Sequence, residues 1–161
     1  MSSSARSVKH GTFVIERKFD CDPAFVFRAW TQPDAKARWF NGPHDKWTEQ
    51  VREMDVRPGG RERVIGKFVD GSESRFEAMY FDVVEDRRIV YAYDMFFQGR
   101  KISVSLATIE FVKSGNGTKL IVTENGAFFD GYDDAGSRER GTLGLIDNLA
   151  RALNGEDVRQ G

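Results

Sequence analysis

Asp22-Pro23-Ala24-Phe25-Val26-Phe27-Arg28-Ala29-Trp30-Thr31-Gln32-Pro33-Asp34-Ala35-Lys36-Ala37-Arg38-Trp39-Phe40 sets two short helical patterns inside a chain that otherwise reads as strands. Each pattern has proline near its first turn, where the missing N–H costs nothing, and the Asp22 carboxylate is placed to cap the first helix. Phe25, Val26, Ala29 and Trp30 recur at helical spacing and predict one buried face. Trp39 and Phe40 then close the pair as an aromatic plug.

Before this block, Thr12 to Asp20 alternates apolar and polar residues and predicts a first strand. After it, strands follow one another over Gln50–Arg57, Arg61–Phe68, Glu73–Val84, Arg88–Met95, Lys101–Val112 and Thr118–Asn125. Short turns join them: Pro58-Gly59-Gly60, Asp70-Gly71, Glu85-Asp86-Arg87 and Ser114-Gly115-Asn116-Gly117. Seven strands with such short links predict an antiparallel sheet. From Ser137 to Leu153 the period changes: Leu145, Ile146, Leu149 and Leu153 mark one face of a long amphipathic helix that needs a sheet to cover.

The chain has 161 residues and is 40% hydrophobic, enough for one domain with a core. We assign residues 12–154 to that domain, with residues 1–11 and 155–161 as flexible tails. With 24 basic and 25 acidic residues the formal charge is −1, which argues against nucleic acid as a partner. No apolar run is long enough for a membrane span, and the single Cys21 suits a reducing, cytoplasmic setting. Cys21 reads either as a reactive thiol or as a small packed residue; no histidine lies near it in sequence, which favours packing.

The order strand, two short helices, six strands, long helix resembles the helix-grip fold of the START and birch-pollen-allergen superfamily. Val26-Phe27-Arg28-Ala29-Trp30-Thr31-Gln32-Pro33, Arg38-Trp39-Phe40, Met54-Asp55-Val56-Arg57-Pro58-Gly59-Gly60, Tyr80-Phe81-Asp82-Val83-Val84 and Arg88-Ile89-Val90-Tyr91 narrow this further. Together they resemble the activator of heat-shock-protein-90 ATPase homologue-like branch of the SRPBCC proteins, over residues 12 to 154. The resemblance implies an α+β fold whose curved sheet of about seven strands wraps the last helix, with a cavity between them. Three departures stand out. Thr142 follows Gly141 where the family usually has tryptophan, Trp39-Phe40 replaces a Trp-Trp pair, and Ala78 replaces a glycine.

Nucleophile elbows, phosphate loops and dinucleotide fingerprints are missing, and no cofactor is expected. His10 falls in the tail and His44 in a loop with only Asp45 and Glu49 nearby, so no metal site is expected. What remains is the cavity. Strand alternation puts Ile89, Tyr91, Tyr93 and Met95 on one face, and we expect Phe27, Trp30, Trp39, Phe40, Leu145 and Leu149 opposite, with Phe76 closing one end. Glu124 follows Leu120 and Val122 at period two and is expected to point inward. Glu77 has a similar claim beside Met79, Phe81 and Val83. These two carboxylates are the only catalytic candidates; the alternative leaves them at the sheet rim, paired with Arg75 or Arg100.

The first functional reading is therefore a protein that binds a small hydrophobic, aromatic or lipid-like ligand without turnover. A second is a cyclase or dehydratase-like enzyme using Glu124 or Glu77 with a cavity tyrosine. A third is a chaperone-linked or stress-response interaction module, which the resemblance supports only weakly. The charge runs Glu85–Arg88 and Ser137–Arg140 read as solvated surface. The stretch Gly126–Tyr132, with Phe128 and Phe129, reads as a loop that forms a lid or packs on the helix end or a second subunit. A homodimer through that loop or an edge strand is a further expectation.

Overall fold

The computed structural model describes residues 6–156. It is an α+β structure in which seven antiparallel strands form one curved sheet around a C-terminal helix: the helix-grip fold. The elements are β1 (Val8–Phe19), α1 (Pro23–Thr31), α2 (Pro33–Ala37), β2 (Trp47–Met54), β3 (Arg61–Phe68), β4 (Glu73–Val84), β5 (Arg88–Phe97), β6 (Arg100–Ser114), β7 (Gly117–Phe129) and α3 (Ala135–Leu153). The order across the sheet is β1-β7-β6-β5-β4-β3-β2. All links from β2 to β7 are hairpins, and only β1 reaches its neighbour from far away in sequence.

The paired helices form as their sequence requires. Asp22 Oδ1 accepts from the Phe25 N–H at 3.0 Å, Pro23 fills the first turn of α1, and Pro33 starts α2 after a one-residue break at Gln32. The buried face of α1 is Val26, Phe27, Ala29 and Trp30, while Phe25 points to solvent beneath the Arg28 guanidinium. That corrects the expected face at one position. Bulges at Glu49/Val51, Tyr80/Asp82 and Met95/Phe96 interrupt the pairing of β2, β4 and β5, and such insertions bend a sheet.

Several boundaries differ from expectation; β2 spans Trp47–Met54 and not Gln50–Arg57. β1 begins at Val8, because Val8 to Gly11 continue the ladder opposite Phe129 to Gly126, so these four residues belong to the sheet and not to the expected tail. The rest of the expected N-terminal tail, residues 1–5, lies outside the described residues. At the other end Asn154 to Glu156 turn back on the last helical carbonyls, and the remainder of the expected C-terminal tail, residues 157–161, is likewise outside. Phe128 and Phe129 belong to β7 rather than to a loop, and the true turn is Asp130-Gly131, where both residues have positive φ.

The concave face carries the core. Alternation sends Phe76, Ala78 and Tyr80 of β4, Ile89, Tyr91 and Tyr93 of β5, Ala107, Ile109 and Phe111 of β6, and Leu120 and Val122 of β7 inward, where α1 and α3 cover them. Ile146 and Leu149 of α3 are fully buried in that core. Among the described residues no helix is long and apolar enough to cross a membrane.

Candidate functional site

Register sets two rows of side chains across the concave face. One runs Tyr80, Tyr91, Ala107, Glu124, Phe13, and the next runs Ala78, Tyr93, Ser105, Gly126. In each row a β6 residue with a very small side chain, Ala107 or Ser105, stands beside a β5 tyrosine. Between the sheet and α3 lies a cavity of about 290 Å³, walled by Trp39, Phe40, Phe76, Tyr91, Tyr93 and Leu145. Its rings pack closely: Phe40 and Phe76 meet edge-on at 4.9 Å, and Phe76 and Tyr93 lie tilted at 4.8 Å.

One end of the cavity is polar. Arg138, on the first turn of α3, reaches down to the sheet; its Nη1 donates to Tyr93 Oη and its Nη2 to Ser103 Oγ, both at 2.8 Å. Tyr93 Oη in turn donates to Glu124 Oε2 at 2.8 Å. Asp133 holds the same guanidinium from the other side at 2.9 Å, and the Tyr93 and Phe128 rings stack about it at 5.6 and 5.3 Å. Gly126 permits this stack, since a Cβ there would sit 2.7 Å from the Phe128 ring.

Burial governs the ionisation of this cluster. It pushes the Glu124 carboxyl up, against the opposing pull of the Tyr93 hydrogen bond and the Arg138 charge. Burial and the Glu124 charge likewise push the Tyr93 phenol up. For Arg138 burial works against the cation, but Tyr93, Glu124 and Asp133 outweigh it and hold the guanidinium above its ordinary value.

Behind the opposite wall lies a second polar group. Lys36 of α2 is fully enclosed, its Nζ 2.8 Å from Glu62 Oε1 of β3 and 4.4 Å from the Phe40 ring centre. Tyr80 Oη donates to the same Glu62 oxygen in a short contact. Burial lowers the Lys36 pKa, with Glu62 opposing. At the mouth, the Trp47 indole lies over Gly66 and donates to Ser74 Oγ at 3.0 Å.

Most residues named from the sequence surround this cavity: Trp30, Trp39, Phe40, Phe76, Tyr91, Tyr93, Met95, Glu124 and Leu145. Two do not. Phe27 packs edge-on against Phe111 at 5.3 Å, and Leu149 is sealed in the solid core beside it, because both sit deeper along the helices than the cavity floor. Glu77 is on the convex face, 3.6 Å from Arg75 and 3.9 Å from Arg63, since Phe76 and Ala78 take the inward parity of β4. It is not a cavity carboxylate. Glu124 does point inward, and its cation is Arg138 rather than Arg100.

Arg138, Lys36, Glu62 and Trp47 were missed. Glu62 carried a signal, for it shares inward parity with Val64. Arg138 carried none, because it lies in a charge run that looks solvated. Cys21 is half-buried, and burial followed by Asp22 and Asp20 pushes its thiol up, which fits packing better than reactivity. His10 is a strand residue of β1, His44 lies in the turn before β2, and among the described residues no three metal-binding side chains gather.

Residues 20–154 match the family model described as Activator of Hsp90 ATPase homolog 1-like protein. The chain belongs to this family. Among solved structures, an uncharacterised protein from Rhizobium leguminosarum is 43% identical, with a TM-score of 0.89 over 94% of this chain and 99% of that one. The Mll3558 protein from Rhizobium loti is 41% identical, with a TM-score of 0.83 over 91% of this chain and 99% of that one. CV1439 from Chromobacterium violaceum, at 23% identity and a TM-score of 0.74 over 88% of this chain and 96% of that one, shares the fold. Comparison with curated proteins gives no match. Within this Activator of Hsp90 ATPase homolog 1-like chain, Thr142 lines the cavity at the position where the resemblance leads one to expect tryptophan.

Proposed function

We propose that the protein binds a small apolar or aromatic molecule in the cavity between the sheet and α3, without turning it over. One observation carries this reading: a cavity of about 290 Å³ with aromatic walls and a buried Glu124–Tyr93–Arg138 cluster at one end. Apolar walls with a few placed polar groups are the usual make-up of a small-molecule site. Volume narrows the ligand. A cavity of about 150 Å³ holds benzene, so this one suits a fused bicyclic ring or a single ring with a short chain better than a long acyl chain. The setting is the reducing cytoplasm, which the unbridged Cys21 suits.

The Glu124–Tyr93 contact favours one alternative, a cyclase or dehydratase-like acid–base enzyme, because it puts an inward carboxylate within reach of a phenol. Binding is preferred because the Tyr93 hydroxyl is engaged on both sides, by Arg138 and by Glu124. A thermal-shift and native mass-spectrometry screen with aromatic metabolites and lipids tests the reading. Stabilisation by at least one aromatic class, with an equimolar complex in the mass spectrum, is the expected result. A protein that no class stabilises overturns it.

A further inference from the structure

Glu124 has two carboxylate oxygens, and the protein uses one. Oε2 accepts from Tyr93 and lies 3.6 Å from Arg138 Nη1, whereas Oε1 accepts no hydrogen bond from any described residue. The residue is 3% exposed and lines the cavity, and its one further polar neighbour is the Ser105 hydroxyl, which makes no full hydrogen bond of its own. Across Ala107 in the same row, Tyr91 also lines the cavity, and its hydroxyl has no hydrogen-bond partner among the described residues.

The arginine beside Glu124 is already committed. Both terminal nitrogens of Arg138 donate within the protein, to Tyr93, Ser103 and Asp133, so a carboxylate entering the cavity would meet Glu124 with no free guanidinium fork to receive it. Glu124 and Asp133 together carry one more negative charge than Arg138 balances. The Lys36–Glu62 pair at the other end is internally neutral and adds nothing to this excess. The Phe40, Phe76 and Tyr93 rings line the remaining space and give a ligand ring its apolar contacts.

From this asymmetry we infer that the ligand is a cationic nitrogen compound, an arylalkylamine or a protonated nitrogen heterocycle, whose N–H donates to Glu124 Oε1 while its ring lies against the aromatic walls. The inference rests on the cavity being a ligand site and names the chemical class that the site takes. Tyr91 supplies a second anchor, its hydroxyl oxygen accepting from the same cation or its proton going to an acceptor on the ring.

Three indoles that differ only in the polar end of their side chain test this: tryptamine, tryptophol and indolepropionate, titrated calorimetrically into the whole protein. A charge-assisted hydrogen bond predicts about tenfold tighter binding of tryptamine than of tryptophol, with indolepropionate weakest. Glu124→Gln is expected to bring tryptamine and tryptophol to similar affinities. Asp133→Asn, which removes one of the two negative charges on Arg138, is expected to narrow the gap as well and serves if Glu124→Gln does not fold. Equal binding of tryptamine and tryptophol to the unaltered protein, tightest binding of indolepropionate, or a tryptamine preference that survives in a folded Glu124→Gln protein overturns the inference while leaving the ligand site standing. Failure of all three indoles to bind overturns both.

Discussion

Lys36 and Glu62 form an ion pair with each side chain only 1% exposed, joining the two-helix block to the third strand. A pair so enclosed contributes little net stability, yet either partner alone is a buried, uncompensated charge. Lys36→Met is therefore expected to lower stability by about 3–5 kcal/mol, read by urea denaturation. The double change Lys36→Met with Glu62→Gln is expected to recover most of that loss. A double variant no better than the single would mean that the pair itself holds the helices down.

Trp39 is 1% exposed, stacks edge-on against Trp30 at 4.7 Å, and donates from Nε1 to the Ala29 carbonyl at 2.9 Å. Trp39→Ala is expected to cost about 3–5 kcal/mol and to weaken ligand binding, because the same ring forms a cavity wall. Loss of stability with unchanged affinity would return it to a purely structural role.

Thr142→Trp tests the cavity from the opposite direction. An indole at this lining position fills space that is otherwise open, so the thermal midpoint is expected to rise, by about 0.5–2 kcal/mol of added stability, while binding of aromatic ligands is lost. Binding at the original affinity would place the ligand elsewhere.

Gly66 is required by Trp47: a Cβ on Gly66 would lie 1.9 Å from the indole Cε2. Gly66→Ala is expected to push the ring off the strand, break its hydrogen bond to Ser74 and cost about 1–3 kcal/mol. Because Trp30 and Trp39 are buried, a red shift in fluorescence would report Trp47 moving into water. An unchanged spectrum would show that the strand yields instead of the ring.

The raised pKa of Glu124 has a defined sign in the pH dependence of stability. A carboxyl that ionises later in the folded than in the unfolded chain favours folding less as pH climbs, so its contribution is present below the ordinary carboxylate pKa of about 4.3 and is lost above it. The difference in thermal midpoint between the unaltered protein and Glu124→Gln is therefore expected to shrink or reverse from about pH 4 to about pH 8. A difference that widens in favour of the unaltered protein would show that Arg138 overcomes the effect of burial.

Strand order, the paired helices and the inward set Tyr91, Tyr93 and Glu124 are legible in the sequence because period and turn chemistry are local properties. What escaped it depends on distance in three dimensions. Phe27 and Leu149 have the same spacing as the true wall residues, and only depth along their helices separates core from cavity. Val8 to Gly11 has no clear alternation and is a strand because β7 supplies its ladder. Gly126 and Gly131 flank Phe128 and Phe129 like a loop, yet Gly126 is there to admit the Phe128 ring. Arg138 looked solvated because nothing in its neighbours records the tyrosine and carboxylate it meets.

The pairing of β1 with β7 also bears on how the protein comes into being. Thr12 and Asn125 touch across 113 positions of sequence, and β1 has no other strand beside it. β1 pairs with β7 alone, so its ladder needs a strand that lies more than a hundred residues further along the chain. Closing the sheet therefore depends on a contact between segments far apart in sequence, the kind of pairing whose long loop slows folding.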